Sequence, residues 1–359
     1  MFSTYAKMLP VLILLQAGGI AGAQITVNES SVVRNGQLLK AVKYLCRIGS
    51  AKLRYELLCD PETGNAAAEK WEDYFFGLYL GTKFQEGWSI WNFLQVYDAR
   101  KRNVLKRKPP YIYSYRFSGG EFLHLVWKEV SLRVIQFSGD DKWLYFRLEF
   151  RADTPHEISL MAYPGGTDRK VPWRERHLAV ESDDFGLTGK PIEIPLPENG
   201  LALYNRNYKE DSGNFMVFDS SAAAGLTAGS PGGNVIRLAF LPRKDTRSFS
   251  FALGYFSGES GRSAVERFLK EQRPAIHGRL MNVDWSPEAD FSTLDGQVRN
   301  CGSFLRKFAD PETQEEAEVL IRRFQNRRLK KDYPGCLAAW RELEKLQERD
   351  AGILLKKLR

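Results

Sequence analysis

Four histidines and four cysteines are the whole stock of imidazole and thiol in this 359-residue chain, and none is spaced for a metal. There is no CxxC pair, no Cys/His cluster of zinc type, no HExxH and no DxDxDG calcium loop. A nucleophile elbow requires GxSxG, and no serine stands in that frame. The glycine-rich stretch from Gly225 to Gly233 has no lysine, so it is a flexible loop rather than a phosphate-cradling one. These absences exclude zinc metalloproteases, elbow-type serine hydrolases and P-loop NTPases, and no metal or cofactor is called for. They leave carbohydrate chemistry open, because its acids sit on scattered strands.

Long hydrophobic runs are also missing. The main one, Met8 to Leu15, is interrupted by Pro10, follows Lys7 and leads to the small residues Ala21-Gly22-Ala23. A membrane-spanning helix needs about 20 apolar residues, whereas a short apolar run with a basic start and a small-residue end is a secretory signal peptide. The expected organisation is therefore a signal peptide over 1–23, cleaved near Ala23, and a secreted or periplasmic chain from Gln24. No Cys stands near the cleavage site for lipidation, and no later segment is apolar enough to span a bilayer.

Export changes the meaning of charge. The net charge is +8, an excess that in the cytoplasm would point to nucleic acid. Outside it, the fitting partner is carbohydrate, an acidic polysaccharide or an anionic surface, with no nucleic acid; the plainer role of the excess is solubility. One basic cluster is Arg100-Lys101-Arg102 with Lys106-Arg107-Lys108, ahead of Pro109-Pro110, a polyanion patch or a solvated loop. Another is Arg322-Arg323, Arg327-Arg328 and Lys330-Lys331, spread around a helical face.

Cys46, Cys59, Cys301 and Cys336 permit two disulfides. Lys40 to Ile48 and Ala51 to Cys59 read as a hairpin turning at Gly49-Ser50. That register pairs Ile48 with Ala51, Cys46 with Leu53 and Tyr44 with Tyr55. Cys59 then lies six residues from the partner of Cys46, about 20 Å along the strand, beyond the roughly 7 Å a disulfide tolerates. The hairpin leaves Cys46 and Cys59 as buried thiols. A Cys301–Cys336 bridge between two helices remains open.

From Gln24 to about Phe256 the pattern is strand after strand. Tyr111–Phe117, Glu121–Trp127 and Ser131–Phe137 are β-branched and aromatic, and Lys142–Phe150 alternates, with Leu144, Phe146, Leu148 and Phe150 on one face. Gly, Pro, Asn and Asp clusters separate the runs. Many short strands without intervening helices predict a mainly β fold over residues 24–257, a large antiparallel β-sandwich, for which a galactose-mutarotase-like supersandwich is one arrangement. Ala66 to Tyr79 reads as a short helix or irregular insertion.

Over residues 258–359 the period becomes helical. Ser260 to Gln272 forms a helix that Pro274 ends, and Pro287 to Phe308 forms a second. Asp310-Pro311-Glu312 starts a third running to about Lys331. A fourth runs from Pro334 to Arg349, with a short amphipathic segment Ile353–Leu358 beyond it. The helical hairpin of about 311–349 resembles a single tetratricopeptide-like unit, but such repeats need about three copies, so a helical region packed on the sandwich or extending from it is the stronger expectation.

The candidate ligand site is the segment between Tyr163 and His177. Trp173 offers a face for a sugar ring, Arg174 and Arg176 a clamp for carboxylate or sulfate, and Glu175 with His177 an acid–base pair. Glu149 with His156 is a second such pair, whereas His124 reads as a structural strand histidine. Trp88, Trp91, Trp127, Trp143 and Trp173 are candidate groove aromatics, although strands favour aromatics anyway. The leading expectation is an exported, non-catalytic carbohydrate-binding or cell-surface protein favouring anionic polysaccharide. The alternatives are a carbohydrate-active epimerase, lyase or hydrolase, and an envelope assembly protein docking partners through its helical tail. Oligomeric state is not readable.

Overall fold

The computed structural model describes residues 24–66, 74–80, 89–90, 93–107, 110–151, 153–162, 176–205, 212–232, 235–257 and 261–357. The chain is mainly β, with antiparallel sheets followed by a helical region. It divides into two compact units, a β-rich one over Gly22–Asp290 and a helical one beginning at Phe291.

The strands are β1 (Gln24–Arg34), β2 (Gln37–Ile48), β3 (Ala51–Cys59), β4 (Tyr74–Tyr79), β5 (Ser89–Ile90), β6 (Leu94–Tyr97) and β7 (Tyr111–Phe117). They continue with β8 (Gly120–Val126), β9 (Val130–Phe137), β10 (Trp143–Phe150), β11 (Glu157–Ala162), β12 (Arg176–Val180) and β13 (Asp183–Gly186). The last are β14 (Ile192–Ile194), β15 (Gly200–Asn205), β16 (Ser212–Phe218), β17 (Ala223–Gly232), β18 (Val235–Pro242) and β19 (Ser248–Ser257). One sheet has the order β1-β2-β3-β4-β5. A nine-stranded sheet runs β13-β12-β15-β16-β19-β10-β9-β8-β7, and a third runs β14-β17-β18-β11-β6.

One hydrophobic core joins the inner faces of all three sheets, drawing on Leu53 and Phe76 from the first, Phe146 and Leu253 from the second, and Phe240 and Leu160 from the third. Strand alternation selects these residues. On β10, Leu144, Phe146 and Leu148 point inward, while Trp143, Tyr145, Arg147 and Glu149 share the outer face of the nine-stranded sheet. The β2–β3 hairpin has the expected register: Ile48 faces Ala51, Cys46 faces Leu53 and Tyr44 faces Tyr55. Asn35 and Gly36 both have positive φ (52° and 76°) and turn β1 into β2, the geometry of a two-residue type I′ connection.

All four cysteines are free and buried. Burial pushes the Cys46 and Cys301 thiols up to about 12 and Cys336 to about 11, so none is a nucleophile near neutral pH. The Cys301–Cys336 bridge does not form. The Cys301 thiol points to the Leu343 carbonyl and the Cys336 thiol to the Phe324 carbonyl, each at 3.7 Å.

Three local expectations are corrected. The glycine-rich stretch expected as a flexible loop lies in strand β17, paired with β14 on one side and, through two register shifts, with β18 on the other. Residues 74–79 form strand β4 rather than helix, with Tyr74, Phe76 and Leu78 inward at period two. Pro274 does not end its helix: α1 (Gly261–Arg267) passes through a π-helical turn (Phe268–Gln272) into α2 (Arg273–Met281). Pro274 sits in the first turn of α2, directly after the widened π-helical turn. The π turn aims Phe268 onto the outer face of the nine-stranded sheet, stacked on Phe215 at 4.1 Å between ring centroids and beside Trp143 at 6.0 Å.

The helical unit contains α3 (Ser292–Phe308), α4 (Pro311–Leu329) and α5 (Tyr333–Lys357). Asp310 caps α4, accepting from the Thr313 N–H at 2.9 Å. Leu320, Phe324, Leu343 and Leu305 are buried within this unit. No described helix is long and apolar enough to cross a membrane.

Candidate functional site

Two places in the β-rich unit bring chemistry-bearing side chains together. The first is a cleft of about 400 Å³ at the end of β6, lined by the turn that follows it, the β8–β9 turn and the end of β10. Its floor is apolar, made by Val96, Val104, Val130 and Phe150. Its rim is polar: Asp98, Arg100, Arg102, Arg107, Glu129 and Asp153.

Asp98 organises that rim. Its Oδ1 accepts from the backbone N–H groups of Arg100 and Arg102, both at 2.9 Å, fixing an Asx turn. Its Oδ2 takes a fork from Arg102 through Nε at 3.0 Å and Nη2 at 2.8 Å. Arg107 reaches the same oxygen at 3.4 Å and Glu129 at 3.1 Å, so the four groups form one chain of alternating charge. Burial pushes the Asp98 carboxyl upward, but the hydrogen bonds and charge of Arg102, with the Arg100 N–H, outweigh it and hold the pKa below the ordinary value. Asp98 is therefore a fixed carboxylate and no proton donor near neutral pH. Asn103 holds the adjoining 3-10 turn (Val104–Lys106) by accepting from Leu105 N–H.

This site contains part of the basic cluster and disperses the rest. Arg102 and Arg107 are paired with acids, Arg100 and Lys101 are exposed, and the Lys106 ammonium lies over the Tyr74 ring at 5.7 Å. Lys108 lies outside the described residues. Asp98 and Glu129 compensate two of the guanidinium groups of the run.

The second place is the outer face of the nine-stranded sheet near its β13 edge. His177 Nδ1 lies 3.0 Å from Asp184 Oδ1, and the Tyr204 hydroxyl donates to Asp184 Oδ2 at 2.7 Å. Strand pairing builds the trio: His177 stands opposite Tyr204 on β15 and Gly186 on β13, and Asp184 lies diagonally two residues along. A carboxylate beside Nδ1 orients the ring and, in a neutral imidazole, favours the proton on that nitrogen. The His177 side chain keeps 12% of its surface exposed.

Arg176, expected beside His177 as a ligand clamp, is not at the surface. It is completely buried, on the opposite face of β12 from His177, in line with Leu178 and Val180. Burial lowers its pKa to about 10. Period-two alternation forces this, since neighbouring strand residues cannot share a face. Tyr163, Trp173, Arg174 and Glu175 lie outside the described residues, as do Trp88 and Trp91. Trp127 and Trp143 are buried and offer no platform to a sugar. Glu149 is held by Arg133 at 3.1 Å and Arg147 at 3.5 Å, while His156 is exposed.

Sequence reasoning missed Asp98, Glu129, Asp184 and Tyr204. Asp98 carried a readable signal: an Asp opening a polar turn directly after an apolar strand.

No protein-family model matches the sequence. No curated protein matches it. Among solved structures the chain has a likeness to YidC from Thermotoga maritima, at 11% identity and a TM-score of 0.29, covering 84% of this chain and 70% of that one. Heparinase III is similar at 10% identity and 0.31, covering 60% and 35%. A GH31 family sulfoquinovosidase from E. rectale is similar at 12% identity and 0.27, covering 66% and 32%. The chain thus spans about a third of the length of these two enzymes. Scores of this size carry no argument for fold or function.

Proposed function

We propose that this is an exported β-sandwich protein that binds carbohydrate without turning it over, and that the cleft around Asp98 is the binding site. The observation that supports this is the cleft's make-up: an apolar floor with Phe150, a rim of carboxyl and guanidinium groups, and a volume in the range of small-ligand pockets. Sugars present hydroxyls that both donate and accept, together with apolar C–H faces, and such a rim and floor match both. A glycosidase of the usual kind needs one carboxyl held as an acid beside one held as a carboxylate, and the lowered pKa of Asp98 removes it from the first of these roles. Charge within the rim is balanced, so a preference for acidic polysaccharide would come from the exposed Arg100 and Lys101.

An array of neutral, uronic-acid and sulfated glycans tests the reading. Binding is expected, with at least a tenfold loss in Asp98→Ala and in Phe150→Ala. No binding across the array, or binding indifferent to both changes, overturns it.

The His177–Asp184–Tyr204 trio favours a second reading, an acid–base enzyme acting on a sugar. A carboxylate-oriented imidazole is a proton acceptor ready for use. Turnover of a glycan by the wild type, abolished in His177→Ala and retained in Asp98→Ala, would establish this reading over the first.

A further inference from the structure

Edge strands expose rows of unpaired backbone N–H and C=O groups, and proteins blunt them with lysine, proline, bulges or brevity. Most edges here follow that rule. β5, β13, β14 and β6 have two to four residues each, and β13 begins with two aspartates. β1 breaks it. It is an edge of its sheet, has eleven residues, contains neither lysine nor proline, and pairs with β2 without a bulge from Gln24↔Arg47 to Arg34↔Gln37. Its other edge pairs with nothing among the described residues. It also carries exposed Val27, Val32 and Val33, the last at 70%, and Leu38 stands opposite Val33 at the tip of the ribbon, 55% exposed.

We propose that β1 is a self-association site, pairing antiparallel with β1 of a second copy of this chain about a two-fold axis at Ser30. The sequence of the strand selects this partner and this register. Centred on Ser30, Val27 faces Val33 of the other strand twice over, Asn28 faces Val32, and Glu29 faces Ser31. No like charges are directly opposed. A register centred on Glu29 would set two glutamates against each other, and one centred on Ser31 would set Glu29 against Val33. Glu29 is already held by Lys40 on β2 at 2.8 Å. Two five-stranded sheets would become one continuous sheet, an isologous arrangement that closes on itself.

Sedimentation velocity on the purified full chain, from about 1 to 100 µM, is expected to show a reversible monomer–dimer equilibrium. Val27→Lys with Val33→Lys changes only exposed side chains and places lysines opposite lysines, so the dissociation constant should rise at least about tenfold with an unchanged circular dichroism spectrum. Directly opposed residues in antiparallel strands are about 4.5–5.5 Å apart at Cα, within disulfide reach. Ser30→Cys should therefore give a covalent dimer on mild oxidation, the four native thiols being buried. A monomer at every concentration, a dimer indifferent to the lysines, or a dimer that Ser30→Cys fails to cross-link would each overturn the proposal.

Discussion

His124 and His177 stand on the outer face of the same nine-stranded sheet, yet their partners give them different surroundings. The Nδ1 of His124 meets the Tyr113 hydroxyl at 2.8 Å, and its Nε2 is buried without a hydrogen-bond partner. Burial first, and then the charges of Arg133 and Arg151, push its pKa down to about 3, so the ring is neutral and structural. His177 meets a carboxylate instead, and keeps part of its ring at the surface. A histidine on a strand is therefore no sign of chemistry by itself. The charge of its neighbour across the sheet, which the local sequence does not reveal, sets its surroundings.

The largest test of this contrast is pH. The folded pKa of His124 lies below its unfolded value near 6.5, so the unfolded chain takes up the proton first as pH falls. The stability held by the neutral ring is complete above about 6.5 and lost progressively toward 3. Urea denaturation should show roughly 2 kcal/mol lost between pH 6.5 and 4.5 from this group, and His124→Leu should remove that part of the pH dependence. An unchanged pH profile in the variant would assign the loss to other groups. Next comes Tyr113→Phe, which strips the buried imidazole of its partner and should cost about 1–2 kcal/mol by the same measurement.

Asp184→Asn should cost less, about 1 kcal/mol, because the trio is partly solvated. Nitrogen NMR of the ring should report the Nδ1–H tautomer for His177 in the wild type and lose that preference in the variant; a wild-type ring protonated on Nε2 would break the comparison. Smallest is Tyr204→Phe, at about 0.5 kcal/mol, with the His177 tautomer retained because Oδ1 still holds the ring.

Much of the β fold was legible because alternation and turn chemistry are local. The β2–β3 register followed from Gly49-Ser50 and the spacing of Tyr44, Cys46 and Ile48, and the two faces of β10 from its own eight residues. β4 was misread because an alanine-rich lead-in masked the inward alternation of Tyr74, Phe76 and Leu78. The sites were less legible. The β12–β13 turn contains Glu181 at φ 49°, a left-handed position usually filled by Gly or Asn, so nothing announced the hairpin that brings Asp184 to His177. The cleft draws Asp98, Glu129 and Asp153 from three separate connections, which only the stacking of sheets brings together.

The four buried thiols set a race during biosynthesis. In the oxidising setting proposed for this protein, each thiol is safe only once its pocket has closed, since exposed cysteines there pair at random. Cys46 and Cys59 are covered once the three-sheet core has packed, a core that Cys301 and Cys336 do not share. Cys301 and Cys336 must wait for helices formed by the last part of the chain to assemble. Conditions that slow assembly of α3 to α5 should therefore harm the recovered protein through oxidation at this one pair, long before they measurably change the stability of the finished fold.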